Sequence, residues 1–362
     1  MDLLLLLSMA YLRLLLLPFS VLYGFAVWVR NRCYDWGWFR SRSFNHPVIV
    51  VGNLAVGGTG KSPMTEYLLR LLHEHYTVAT LSRGYGRKTR GFFEVSPLDT
   101  AADCGDEPLQ FKRKFPHVTV TVGEDRVNGV RRLIQSGKEV VVLDDAFQHR
   151  ALKPGLAILL FDYQRMKRPK WLLPAGDYRD WFSERRRADV MIVTKMPGTA
   201  TEQDKADIRR MLRSKHRDIP VLFSKIGYGA IVPLFPGEER EGITLTAQVS
   251  VLLVTGIANP APLRGYLATR AGDVVQLSYP DHHQYTKADI RNMINRFEAI
   301  ANPHKLIITT EKDAQRLLMP ELSGALVTLP IYVVPIHPLF DGKEEEFFRQ
   351  LVLTYCARVL GS

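Results

Sequence analysis

Residues 47–63 read PVIVVGNLAVGGTGKSP, and the fold follows from them. Pro47–Val51 is an apolar run of the kind that forms a buried strand. It passes into Gly52-Asn53-Leu54-Ala55-Val56-Gly57-Gly58-Thr59-Gly60-Lys61-Ser62-Pro63, a Walker A pattern with Ala55 where the first glycine usually stands. Glycines let backbone N–H groups curl around phosphate oxygens, and the following helix presents its N-terminus to the same charge. Gly57, Gly58, Thr59 and Gly60 are therefore the expected nucleotide cradle. Lys61 is suited to reach the β- and γ-phosphates, and the Ser62 hydroxyl to ligate Mg²⁺. Pro63 falls in the first helical turn, where its missing N–H costs little.

Outward from this loop, Thr77–Leu81, Val118–Val122, Glu139–Leu143, Leu156–Phe161, Val190–Thr194 and Val221–Phe223 read as further buried strands. Amphipathic stretches such as Met64–His75 and Asp204–Ser214 separate several of them. The alternation predicts an α/β protein: a P-loop NTPase-like, doubly wound, mostly parallel sheet over residues 36–226. The strand Val140–Leu143 ends in Asp144-Asp145, a Walker B arrangement in which either carboxylate is able to hold the metal, with Asp145 preferred. Thr194-Lys195-Met196-Pro197 lacks the aspartate of a guanine-reading N/T-K-x-D loop, which points to ATP.

The pattern breaks over residues 227–248, where glycines, prolines and a charged turn suggest a linker able to form a two-stranded ribbon around Gly237–Gly242. Beyond it, Val249–Thr255, Val274–Leu277, Lys305–Thr309 and Ile331–Val334 define a second, smaller α/β domain, residues 249–362, that would close over the active site. Its last helix, Glu344–Leu360, is able to pack on either domain.

Composition sets the outer limits. At 362 residues, 46% apolar and 23% charged, the chain suits two globular domains and excludes disordered and low-complexity classes. Cys33, Cys104 and Cys356 are scattered and form neither a metal spacing nor a disulfide framework, which fits a reducing compartment. Forty-eight Lys and Arg against 37 Asp and Glu leave +11, which asks for an anionic partner.

Residues 3–29 are predominantly apolar, with Arg13 as the only charge. Asp2 and the lack of a small-residue cleavage site argue against a signal peptide; a buried core helix is the other alternative to an anchor. Arg30, Arg32, Arg40 and Arg42 follow, interleaved with Trp28, Trp36 and Trp38. That flank predicts a membrane-associated helix over residues 1–35, spanning or lying in the interface, with the body on the cytoplasmic face. The basic groups Arg165, Lys167, Arg168, Lys170 and Arg185-Arg186-Arg187 are then expected to meet anionic lipid head groups; nothing resembles a nucleic-acid module.

A phosphotransferase also needs a group for its acceptor hydroxyl, and candidates cluster in Cys104–Pro108 and in Tyr279–Tyr285. VGNLAVGGTGKSP (51–63), LSRGYGR (81–87), GDEP (105–108), DDAFQHR (144–150), LLPAGDYRD (172–180), TGIANP (255–260), DHHQYT (281–286) and TTEKDA (309–314) together resemble the tetraacyldisaccharide 4′-kinase family of lipid A synthesis. The resemblance covers roughly residues 10–340. It implies ATP and Mg²⁺ as cofactors, an inner-membrane location, and the 4′-hydroxyl of an acylated glucosamine disaccharide 1-phosphate as acceptor. It also implies that Asp106 and His282 form a pair activating that hydroxyl, with Lys61 on the phosphates and Ser62, Asp144 and Asp145 near the metal. Arg83, Tyr85, Arg179 and Asp180 would line the substrate; Asp180 stands where the family usually has glutamate. For Glu311-Lys312-Asp313, a structural and a functional role are equally open. The competing reading is a membrane-associated assembly or targeting ATPase, which shares the nucleotide motifs and lacks an acceptor.

Overall fold

The computed structural model describes residues 13, 15–214, 217–235, 242–281 and 283–361. Its strands in chain order are β1 Val48–Asn53, β2 Val78–Ser82, β3 Phe93–Glu94, β4 Thr119–Val122, β5 Val140–Asp144, β6 Leu156–Asp162, β7 Val190–Thr194 and β8 Val221–Tyr228. Then come β9 Val232–Pro233, β10 Ser250–Thr255, β11 Asp273–Ser278, β12 Lys305–Thr310, β13 Ile331–Val334 and β14 Ile336–Phe340.

Nine of them form one sheet in the order β14-β8-β7-β6-β1-β5-β2-β4-β3, parallel except for β3 and β14. β1, β2, β5, β6 and β7 are buried along their whole length, which is why they read as continuous apolar runs. β1 lies between β5 and β6, and Val51 pairs with Asp144. The phosphate loop and both Walker B acids therefore leave the same end of adjacent strands, where the strand order reverses and ligands bind in such sheets.

The second sheet has the order β11-β10-β12-β13-β9, parallel apart from β9. Its extent corrects the expected boundary at 249–362. After β13 the chain returns to the first sheet, where β14 pairs antiparallel with β8, Ile336 opposite Tyr228. The final helix, Gly342–Leu360, also belongs there; it buries Phe348, Val352, Tyr355 and Cys356 in the first core, and the Tyr355 hydroxyl accepts Val48 N–H at 3.1 Å. β14 was not anticipated because Pro338 removes a donor, and such a strand is tolerated only at an edge, where this one lies. The two connections between lobes run side by side, Gly229 N–H donating to Pro335 O at 2.9 Å. In the segment expected as a ribbon, Ile231 and Ile243 form an antiparallel bridge and β9 joins the second sheet; residues 236–241 lie outside the described ones.

The N-terminal helix runs Leu17–Asp35, with Pro18 in its first turn. One face carries Ser20, Gly24, Val27 and Asn31, at three- and four-residue spacing, and packs on the body. Ser20 Oγ donates to Leu172 O at 3.0 Å, and the Trp181 indole donates to Gly24 O at 2.9 Å. A Cβ on Gly24 would lie 2.7 Å from Leu172 Cδ1 and 3.0 Å from the Trp181 ring, so a larger residue there would have to displace the Leu172 side chain. The opposite side is apolar and open to solvent: Phe19, Val21, Leu22, Phe25 and Trp28. Among the described residues no helix is long and apolar enough to cross a membrane.

Candidate active site

The phosphate loop is built on local constraints. Gly57 and Gly60 take φ of 88° and 85°, the left-handed region where a side chain is strained. Gly60 caps the helix Lys61–Leu72, with Pro63 in its first turn, as the motif requires. Side chains from neighbouring strands brace the loop's carbonyls. Thr194 Oγ1 donates to Thr59 O at 2.8 Å, and Lys195 donates to Gly58 O and pairs with Asp162 at 3.0 Å. Arg165 bonds Val56 O, so this member of the expected lipid-facing group supports the loop instead.

At the end of β5 the two aspartates have different surroundings. Asp144 is buried and accepts Thr65 Oγ1 at 3.1 Å. Burial, reinforced by the charge of Glu107, raises its pKa to about 7. Asp145 has φ of 50°, an uncommon conformation for a residue other than glycine, of the kind that gathers at functional sites. It receives both Arg179 Nη atoms, at 2.6 and 3.0 Å, and lies 3.8 Å from the Lys61 ammonium. Burial opposes its charge, yet Arg179 and Lys61 outweigh that and hold its pKa below the usual value. Arg179 also donates to Asn53 Oδ1, tying β1 to the acid.

Glu107, which was only one member of a candidate cluster in the sequence, sits closer to the loop than its position in the chain suggests. Its Oε1 accepts Ser62 Oγ at 2.6 Å and the Lys312 ammonium at 2.6 Å. Burial works against the charge, but Lys312, Ser62 and Lys61 bring its pKa down to about 2. Asp106, one residue earlier, accepts Arg316 Nε and Nη2 at 2.9 and 2.6 Å. Arg316 is itself buried and paired with Asp313 at 3.3 Å. Lys312 and Arg316 both belong to the helix Glu311–Leu317 of the second lobe, which lies against Asp106–Lys114 of the first. Lys114 with Glu311 at 2.6 Å and Arg113 with Gln315 at 2.8 Å complete the seam.

Lys61, Ser62, Asp144, Asp145, Asp106 and Arg179 are thus brought to one end of the sheet. His282 lies outside the described residues; its neighbour His283 stacks on Tyr279 at 4.6 Å and bonds Asp289 at 3.0 Å. Tyr85 is exposed in the loop after β2. Arg83 adds positive potential at Arg126 and His149, two groups the sequence did not single out. Burial, then the charge of Arg126, lowers His149 to about 4, so its imidazole is neutral at pH 7.

Asp180 departs from the substrate-lining expectation. Fully buried, it accepts Asn31 Nδ2 at 2.7 Å and Trp181 N–H at 2.9 Å, and it lies 3.6 Å from both Arg30 and Arg187. Its contacts fasten the N-terminal helix to the body. The Arg185–Arg187 run is likewise engaged internally, Arg186 with Asp35 at 2.9 Å and Arg187 with Glu184 at 2.9 Å and Phe147 O at 3.0 Å.

Oxygen donors of this kind suit a hard cation that keeps only one or two protein ligands and fills its remaining positions with water and phosphate.

The family model for tetraacyldisaccharide-1-P 4′-kinase matches residues 12–355. The chain belongs to that family. Among relatives of the tetraacyldisaccharide 4′-kinase family, the protein so named from Bacteroides thetaiotaomicron is 43% identical over 356 residues, covering 94% of this chain and 92% of its own. The one from Flavobacterium johnsoniae is 42% identical over 341 residues, covering 94% and 96%. The crystal structure of the Aquifex aeolicus family member LpxK, described as a complex with ATP, superposes with a TM-score of 0.71 at 29% identity, covering 95% of this chain and 99% of its own.

Proposed function

We propose that this chain transfers the γ-phosphoryl group of ATP, with Mg²⁺, to the 4′-hydroxyl of a tetraacylated glucosamine disaccharide 1-phosphate. Membership of the kinase family supports the reaction. The observation that carries the mechanism is the convergence of the phosphate loop, the Asp144-Asp145 pair and Asp106 at one end of the sheet, with a second-lobe helix across them.

In this reading Lys61 and the loop amides bind the phosphates. Ser62 with Asp144 or Asp145 would hold the metal, which supplies charge neutralisation on the β- and γ-phosphate oxygens. Arg179 fixes Asp145 and Asn53, holding the acid against the loop. Asp106 and His282 orient the acceptor hydroxyl and take its proton as its oxygen bonds to phosphorus. The bond to the bridging oxygen breaks, and its electron pair leaves on ADP. Closure of the second lobe about Gly229 and Pro335 excludes water, the competing acceptor.

The apolar outer face of the helix Leu17–Asp35 supports attachment to a membrane surface, which we place on the cytoplasmic side, with Arg32, Arg40 and Arg42 near anionic head groups. A lipid acceptor would then be delivered from the bilayer on which the enzyme sits. A transfer assay with labelled ATP, Mg²⁺ and an acylated disaccharide 1-phosphate tests the proposal. Label on the lipid supports the kinase; label released only as free phosphate supports a hydrolytic switch.

A further inference from the structure

Lys312 comes from the second lobe and ends beside the hydroxyl expected to ligate the metal. Its ammonium and the Ser62 hydroxyl donate to the same oxygen, Glu107 Oε1, each at 2.6 Å. Two such bonds converging on one carboxylate oxygen put the ammonium within about 5 Å of Ser62 Oγ. Asp144 and Asp281 add to the negative field around it. Two acids here are already matched by side chains: Glu107 by Lys312, and Asp145 by Lys61 and Arg179.

A plain structural tie would be redundant at this point. The same seam is held by Arg316 with Asp106, Lys114 with Glu311 and Arg113 with Gln315. Of the three charged residues that open the helix, Glu311 and Asp313 have structural partners. Glu311 accepts Lys114 and Ile336 N–H; Asp313 accepts Thr310 Oγ1 and Gly256 N–H. Lys312 is the one directed at the phosphate loop.

We propose that Lys312 is a phosphate-binding cation supplied by the second lobe. Seen here on Glu107, it passes to the phosphate oxygens of Mg·ATP, a more highly charged anion, and stabilises charge on the transferring phosphoryl group. The second lobe then completes the catalytic charge by a shift of Lys312 from Glu107 to the nucleotide. The inference rests on the assignment of Ser62 and the Asp144-Asp145 pair to Mg²⁺.

The test uses full-length Lys312→Met and Lys312→Arg proteins. Loss of one such donor predicts a fall in kcat of about 100-fold for Lys312→Met, with a smaller change in KM for ATP. Lys312→Arg should recover at least a tenth of wild-type kcat, and the other three ties should keep thermal unfolding within a few degrees. A second readout needs no turnover. Lys312→Met should bind Mn²⁺, titrated without nucleotide, about tenfold more tightly than wild type, because a competing cation is gone. A kcat that falls only as far as folded protein is lost, with unchanged Mn²⁺ affinity, overturns the proposal. If wild type binds a non-hydrolysable ATP analogue equally with and without Mg²⁺, the metal assignment fails, and the proposal with it.

Discussion

Arg316 reaches across the cleft and holds Asp106 through Nε and Nη2, at 2.9 and 2.6 Å. The guanidinium is 1% exposed and also donates to Gly256 O at 3.4 Å. A buried cation of one lobe therefore depends on an acid of the other, and the orientation of that acid is set by how the lobes meet.

Asp106→Asn keeps an acceptor for Arg316 and loses the charge needed to take a proton. It should lower phosphoryl transfer at least about 100-fold while leaving ATP affinity within a few-fold. Asp106→Ala should in addition cost about 1.5–3 kcal/mol of stability, because Arg316 loses two charge-assisted hydrogen bonds and keeps Asp313 and Gly256 O. Thermal unfolding separates the two, and Asp106→Asn with near-normal turnover would remove Asp106 from the chemistry.

Asp180 behaves as a fastener in this geometry. Asp180→Ala leaves Asn31 and the adjacent Arg30 and Arg187 without their shared acid, at a cost of about 3 kcal/mol. The surviving folded enzyme should keep its KM for the lipid acceptor. A large rise in that KM at unchanged stability would restore Asp180 to the substrate.

Glu66 offers a pH signature. Burial first, then repulsion from Glu311, raises its pKa to about 7 despite its bonds to Lys114 and Gln110. Its unfolded value is near 4.5, so the folded state holds the proton more tightly, and stability falls as pH rises from about 4.5 to about 7. Glu66→Gln should flatten that slope and stabilise the protein at pH 8 by at most roughly 3 kcal/mol. The measurement is the unfolding midpoint of both proteins from pH 5 to 8; identical slopes would refute it.

Phe19, Phe25 and Trp28 lie on the open apolar face of the N-terminal helix. Replacing all three with serine should leave the fold intact, since none contributes to the buried face, and should weaken binding to anionic vesicles at least tenfold. Co-sedimentation reads this directly; unchanged binding would move the membrane contact elsewhere.

Legibility followed the range of the interaction. The strand, loop and helix around Lys61 could be read because backbone needs and neighbouring residues decide them. The alternation of buried strands indicated the parallel sheet for the same reason. β14 escaped because Pro338 disguises an edge strand, and hydrophobic pattern does not say which sheet a strand joins. The Arg185–Arg187 run looked like a lipid-facing patch, yet its partners Asp35, Glu184 and Phe147 O come largely from other parts of the chain.

The nucleotide half of the site is written in residue order: a phosphate loop, two acids at a strand end, and a family resemblance carried by short motifs. Which charges meet is settled by packing. Ser62 and Glu107 are 45 positions apart, Glu107 and Lys312 205, and Asp106 and Arg316 210. Short-range sterics write local conformation into adjacent residues, whereas a charge takes whichever partner the packing of two sheets brings within a few ångströms.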